Sequence, residues 1–221
     1  MRTLVFNGWA AGPEAWALCS FHHDWVFDYL EQLDGVPERV MDEIDAAVFV
    51  GFSMGGSTAL RMLLRYPGKV RGLVLVSASP CMMEQRGPAV EGRRPEITWR
   101  GMSAHRFEAF KFGTQLAFQN DPSPLYAAHN LDRGLAYLKT TDLRADLLAF
   151  AARPADPIPV RIFQSDHDGV VRPNNADFLT RVFPQAQVTL VPGTEHALPI
   201  AVPELIDAAV FDIMGRHEDE V

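Results

Sequence analysis

Ser53 stands at the centre of Gly51-Phe52-Ser53-Met54-Gly55, between the apolar run Ala46-Ala47-Val48-Phe49-Val50 and residues 56–64, which have helical periodicity. A serine between small residues where a strand meets a helix is the pattern of a nucleophile elbow. The sharp turn lifts the hydroxyl clear of the sheet and sets it at a helix N-terminus, where amides and the helix dipole stabilise an oxyanion. Gly51 and Gly55 supply the missing bulk that so tight a turn needs. An alcohol is a weak nucleophile and needs a base, which needs an acid to orient it. His196, in Val191-Pro192-Gly193-Thr194-Glu195-His196-Ala197, follows the last expected strand. The acid comes from Gln164-Ser165-Asp166-His167-Asp168-Gly169-Val170-Val171. Asp168 is preferred, because Gly169 can turn the chain and the two valines can pack on the core; Asp166 is the alternate. The order Ser, Asp, His is the one that completes such an elbow. Each piece has a bland reading, a small-residue turn for 51–55 and an Asx-type turn for 166–169. Strand, helix, acid and histidine together point to catalysis. The oxyanion donors expected are the N–H of Met54 and that of Trp9, in the turn Asn7-Gly8-Trp9-Ala10 after the first strand; Trp9 as a core aromatic is compatible with this.

The other six histidines fit less well. His22, His23 and His217 lie in polar stretches, His105 and His129 in a middle segment, and His167 beside the acid. His22-His23-Asp24 has no further ligands spaced to complete a metal site. No metal or organic cofactor is expected.

Strands and helices alternate around these residues, as in a parallel sheet covered on both faces. Strands are expected at 3–6, 25–30, up to Val50, 72–77, 160–163 and 187–191, about six in all. Helices are expected at 13–18, after the elbow, at 174–182 and at 203–214. With Met1 only two residues before the first strand, the expected sheet has no antiparallel opening strand. The rhythm breaks after Ser79-Pro80-Cys81. Proline, glycine and charge run to about residue 100, and then Phe107, Phe110, Leu116, Phe118, Leu125, Leu131, Leu135 and Leu138 recur at helical spacing. Residues 82–138 are therefore expected as a helical cap inserted into a core of residues 1–81 and 139–221.

The chain has 221 residues and 48% hydrophobic content, enough for one sizeable core. Two distant cysteines, Cys19 and Cys81, suggest neither a disulfide framework nor a zinc knuckle. No signal peptide or membrane span is apparent, and a cytoplasmic location is expected. A net charge of −8 excludes an ordinary nucleic-acid binder. The charge is uneven: residues 82–145 hold nine Lys or Arg against seven acids, and the remainder eleven against twenty-one. That middle segment is either solvated surface or a basic face for an acidic partner.

Beyond the elbow, Gly8-Trp9, Ser79-Pro80-Cys81, Gly134-Leu135 with Leu138-Lys139-Thr140, Asp142-Leu143-Arg144, Asp168-Gly169 and His196-Ala197 carry a resemblance. The chain resembles the α/β-hydrolases and within them is similar to the pimeloyl-[acyl-carrier protein] methyl ester esterase family of biotin synthesis. The resemblance implies a serine carboxylesterase with Ser53, Asp168 and His196 as triad, and Trp9 and Met54 lining the acyl site. It also implies acyl-chain contacts from Phe110, Lys111, Phe112, Gly113 and Thr114, and a basic cap facing an acidic acyl-carrier protein. The chain departs from the family in Asn7, where a histidine is usual, in lacking an opening hairpin, and in a short stretch between Trp9 and the elbow. Two other readings stay open: a hydrolase of another small ester, thioester or C–C substrate, and a non-catalytic ligand-binding module.

Overall fold

The structure, a computed structural model, describes residues 1–81, 124–153, 157–194 and 196–216. Strands β1 (Arg2–Phe6), β2 (Trp25–Phe27), β3 (Ala47–Phe52), β4 (Val70–Val76), β5 (Val160–Ser165) and β6 (Gln187–Val191) form one sheet in the order β2-β1-β3-β4-β5-β6. Every pairing between these strands is parallel. Among the described residues the sheet is wholly parallel, the α/β architecture expected.

The central strands read as unbroken apolar runs because both faces are covered. Side chains alternate along each strand. Leu4, Phe6, Phe49, Leu73, Leu75 and Ile162 face one layer, with Leu60 and Leu63 of α3 (Met54–Arg65). Val5, Val48, Val50, Val74, Val76 and Phe163 face the other, with Ile206, Val210 and Ile213 of the C-terminal helix (Pro203–Arg216).

Several local expectations are corrected. The second strand ends at Phe27, not at residue 30, because Asp28 caps helix α1 (Tyr29–Leu33). Its carboxylate accepts from Glu31 N while Glu31 accepts from Asp28 N, a capping box that stops the strand. The segment expected as a helix at 13–18 is a single 3₁₀ turn, Pro13–Trp16. Helix α2 (Val36–Glu43) follows Gly35, whose φ of 71° ends α1. A 3₁₀ turn, Pro124–Tyr126, leads into α4 (Ala128–Thr140), which runs through the expected cap boundary at residue 138. Helices α5 (Arg144–Ala151), α6 (Asn175–Val182), α7 (Leu198–Ala201) and α8 (Pro203–Arg216) complete the described chain. Residues 82–123, with Phe110 to Thr114 and the cap arginines up to Arg106, lie outside the described residues.

The flanks of that stretch are fastened together. Cys81 and Asp142 form an antiparallel bridge, Leu143 N donates to Pro80 O at 2.9 Å, and Asp142 accepts from Arg144 N at 3.1 Å and Nε at 2.8 Å. The segments 79–81 and 142–144, which carry part of the family resemblance, meet here.

Candidate active site

In a parallel sheet, loops at the carboxyl ends of neighbouring strands diverge where the strand order reverses, leaving a crevice. Here that point lies between β1 and β3, since the chain passes from β1 outward to β2 and returns to β3 on the other side. The turn after β1 carries Gly8 and Trp9, and the turn after β3 carries Ser53. They are in contact: a Cβ on Gly8 would stand 3.2 Å from Ser53 Cβ.

Ser53 joins β3 to α3 with φ 54° and ψ −118°, a conformation costing a non-glycine residue on the order of 1–3 kcal/mol. It persists because its surroundings fix it. Ser53 N donates to Val76 O at 2.9 Å, and Gly56 N to Ser53 O at 3.0 Å. The flanking glycines are needed for close approach: a Cβ on Gly51 would lie 2.7 Å from Gly55 O, and one on Gly55 2.6 Å from Asn7 O. This conformation sets the hydroxyl at the first turn of α3, which begins with Met54.

His196 lies between β6 and α7 with its ring buried. Its Nε2 is 2.9 Å from Ser53 Oγ and its Nδ1 is 2.8 Å from Asp168 Oδ2. The Phe52 ring packs on the imidazole, with centroids 5.0 Å apart. Asp168 also accepts from Val170 N at 2.8 Å and Val171 N at 2.7 Å, and Gln164 Nε2 lies 3.4 Å from its other oxygen. Burial works against ionisation of this carboxyl. The His196 charge and hydrogen bond and the two valine amides outweigh it, so Asp168 is held below the usual carboxylate range.

Asp166 does not reach His196. It is partly exposed, pairs with His167 Nδ1 at 2.6 Å and accepts from Gly193 N at 2.9 Å. The alternate acid thus braces the turn leading to His196. Trp9 sits in a turn closed by Ala11 N donating to Gly8 O at 3.2 Å, and its indole Nε1 donates to Leu131 O at 3.1 Å. Tyr29 OH donates to Leu125 O at 2.6 Å, so α1 and Trp9 together anchor the Leu125–Leu131 region over the crevice. Trp9, Tyr29, Met54, Leu125, Leu131, Leu135, Leu138 and Val171 form one buried apolar cluster. Sequence reasoning did not single out Gln164, Ser77 or Phe52, each of which touches Asp168 or His196. Only Phe52, inside the elbow motif, had a signal that could have marked it. Among the described residues no group of three or more His, Cys, Asp or Glu could hold a metal ion, and no helix is long and apolar enough to cross a membrane.

A serine hydroxyl on an imidazole that is itself held by an ionised carboxylate can be deprotonated as it attacks an electrophilic carbon. The model of the alpha/beta hydrolase family matches residues 8–209. The pimeloyl-[acyl-carrier protein] methyl ester esterase of Edwardsiella ictaluri is 29% identical over 194 residues, 79% of this chain and 72% of that protein. The protein of the same name from Yersinia enterocolitica is 31% identical over 186 residues, 75% and 68% of the two chains. The solved enol-lactonase of Burkholderia xenovorans LB400 has the same fold, with a TM-score of 0.67 at 19% identity over 97% of this chain and 91% of that one. By the span of the family model and the identity to these relatives, the chain belongs to the alpha/beta hydrolase family.

Proposed function

We propose that the protein is a serine carboxylesterase whose substrate is the methyl ester of a pimeloyl group on an acyl-carrier protein, the reaction for which its relatives are named. The observation that carries the catalytic reading is the continuous chain Ser53 Oγ, His196 Nε2, His196 Nδ1, Asp168 Oδ2, with spacings of 2.9 and 2.8 Å. His196 takes the Ser53 proton as Oγ bonds to the ester carbonyl carbon. The amides of Met54 and Trp9 receive the oxyanion. Collapse of the tetrahedral intermediate breaks the carbon–alkoxy bond, His196 returns the proton to the departing alcohol, and an acyl-Ser53 remains. Water, deprotonated by His196, then releases the acid and regenerates Ser53. Asp168 fixes the imidazole tautomer and stabilises the imidazolium throughout.

The carrier-protein part of the reading is supported by the resemblance and by charge. Arg86, Arg93, Arg94, Arg100, Arg106 and Lys111 all lie in one stretch of an otherwise acidic chain. A basic face accelerates encounter with an acidic partner and is screened by salt. Turnover of methyl-pimeloyl-carrier protein beside p-nitrophenyl esters of increasing chain length tests the substrate. The expected result is a kcat/KM preference for the carrier-bound ester that shrinks as ionic strength rises. Equal kcat/KM and equal salt response would instead assign the site to another small ester.

A further inference from the structure

Among the described residues three non-glycine positions have positive φ: Ala10 at 57°, Ser53 at 54° and Ser77 at 45°. Ala10 belongs to the Trp9 turn and Ser53 is the elbow itself. Ser77 takes no part in the mechanism above, yet it is fully buried and directly follows the last residue of β4, Val76. Its N–H donates to Phe163 O at 2.8 Å, so its backbone is fixed to the sheet. Its hydroxyl turns the other way and donates to His196 O at 3.1 Å.

We infer that Ser77 is a positioning residue for His196, tying the carbonyl of the base to the rigid end of β4 so that its imidazole stays in line between Ser53 and Asp168. The inference rests on the reading of the site given under Proposed function. His196 lies in a loop without repeating backbone hydrogen bonds, so side chains set the loop's path. Thr194 O accepts from Ser165 Oγ, and Gly193 N donates to Asp166. His196 O itself accepts from Leu198 N at 2.9 Å and from Ser77. Leu198 lies two residues on and travels with the loop, whereas Ser77 belongs to the sheet. Ser53 is fastened to the same strand through Val76 O, one residue before Ser77. Nucleophile and base are thus referred to adjacent residues, the last of β4 and the one after it, which fixes their separation. The strain points the same way. Glycine would adopt this φ freely, so a serine held here in a disfavoured conformation supplies something only its side chain can.

The test compares Ser77→Ala, which keeps a side chain but loses the hydroxyl, with Ser77→Gly, which loses the hydroxyl and relieves the strain. Ser57→Ala is the control: Ser57 is equally buried and donates to Ser79 O at 2.6 Å, away from His196. With a short p-nitrophenyl ester, both Ser77 variants should lose on the order of tenfold in kcat with KM little changed, within the hundredfold that a 1 Å misplacement costs. The loss should fall on kcat rather than on KM, because a misplaced base slows the chemical step without touching the acyl site. Ser77→Gly should be no less stable than Ser77→Ala while equally slow. Ser57→Ala should lower the melting temperature and leave kcat and KM as they were. Wild-type kcat in either Ser77 variant, or a kcat loss in all three that simply follows melting temperature, would overturn the inference. Ser53→Ala run alongside separates the two levels: if it stays active the reading of the site fails, and if it is inactive while Ser77→Ala is normal only this inference does.

Discussion

Replacing Gly134 by alanine sets two effects of opposite sign against each other. Gly134 lies inside α4, where glycine destabilises a helix by about 1 kcal/mol relative to alanine, so propensity alone favours the change. Geometry opposes it. The new Cβ would meet Trp9 Cδ1, stand 2.7 Å from Trp9 Nε1 and lie 3.1 Å from Tyr29 Cδ2. Neither ring is free to retreat, since Trp9 Nε1 is bonded to Leu131 O and Tyr29 OH to Leu125 O. Overpacking of this kind costs about 1–3 kcal/mol, and pulling the indole from its buried acceptor costs a further 1–3 kcal/mol or so. The steric cost exceeds the helix gain, and Gly134→Ala should destabilise by about 1–5 kcal/mol in urea unfolding. Under the proposed mechanism Trp9 donates one of the two oxyanion amides, and loss of such a donor costs about 100- to 1000-fold in kcat; turnover should then fall more than stability suggests, by at least about tenfold for a displaced donor. Gly215→Ala is the comparison. It is also helical, but nothing lies within 4 Å of its Cβ position, so it should gain up to about 1 kcal/mol and keep full activity. If Gly134→Ala proves as stable and as active as Gly215→Ala, then α4 does not pin the Trp9 turn and the placement of that donor is mistaken.

Other outcomes follow from the same geometry. Asp168→Asn should lower kcat by on the order of ten-thousandfold through the wrong imidazole tautomer, whereas Asp166→Asn should cost little beyond a looser Gly193 turn; kinetics ranking the two the other way would reassign the acid. Because the folded pKa of Asp168 is depressed, its ionisation stabilises the protein above the unfolded-chain value of about 3.9 and is lost as pH falls through the lower folded value. Acid unfolding of Asp168→Asn should therefore depend less steeply on pH in that window than wild type; identical slopes would argue against an ionised Asp168. Cys19, whose thiol burial and the nearby Asp207 and Glu204 push up to about 12, should react with Ellman's reagent at pH 8 far more slowly in the folded protein than in urea. Equal rates would mean that the thiol is neither buried nor acid-flanked.

The parts of this molecule that were legible in its sequence are those where one physical demand overrides local context. Central strands buried on both faces read as apolar runs, so β3 and residues 72–76 of β4 declared themselves, and an elbow packed against its own strand must have glycine at 51 and 55. His196 and Asp168 could be proposed from chain order, and of the two carboxylates weighed the structure brings Asp168, not Asp166, within hydrogen-bond reach of His196. The misreadings came where two local patterns competed. Trp25-Val26-Phe27 runs on into Tyr29 and Leu30 as if one strand, and only the Asp28 and Glu31 pair marks the change to helix. The 13–18 segment has a helix-starting proline but only one turn's worth of packing surface, carried by Ala15 and Trp16. Gly134 and the Asp142-Leu143-Arg144 segment carried family resemblance without a physical reason visible in sequence. Their reasons are tertiary, the indole of Trp9 in one case and the Cys81 bridge in the other. Ser77 had no sequence signal, because its role depends on a backbone angle and a partner 119 residues away.

The central claim is that Ser53 is a nucleophile made reactive by His196. Exposure of the folded protein to a fluorophosphonate, followed by peptide mass spectrometry, tests it most directly. The account predicts a single covalent adduct on the peptide containing Ser53, formed rapidly in wild type and suppressed by orders of magnitude in His196→Ala. A folded protein that forms no adduct, an adduct on another residue, or labelling of Ser53 at the same rate without His196 would contradict it.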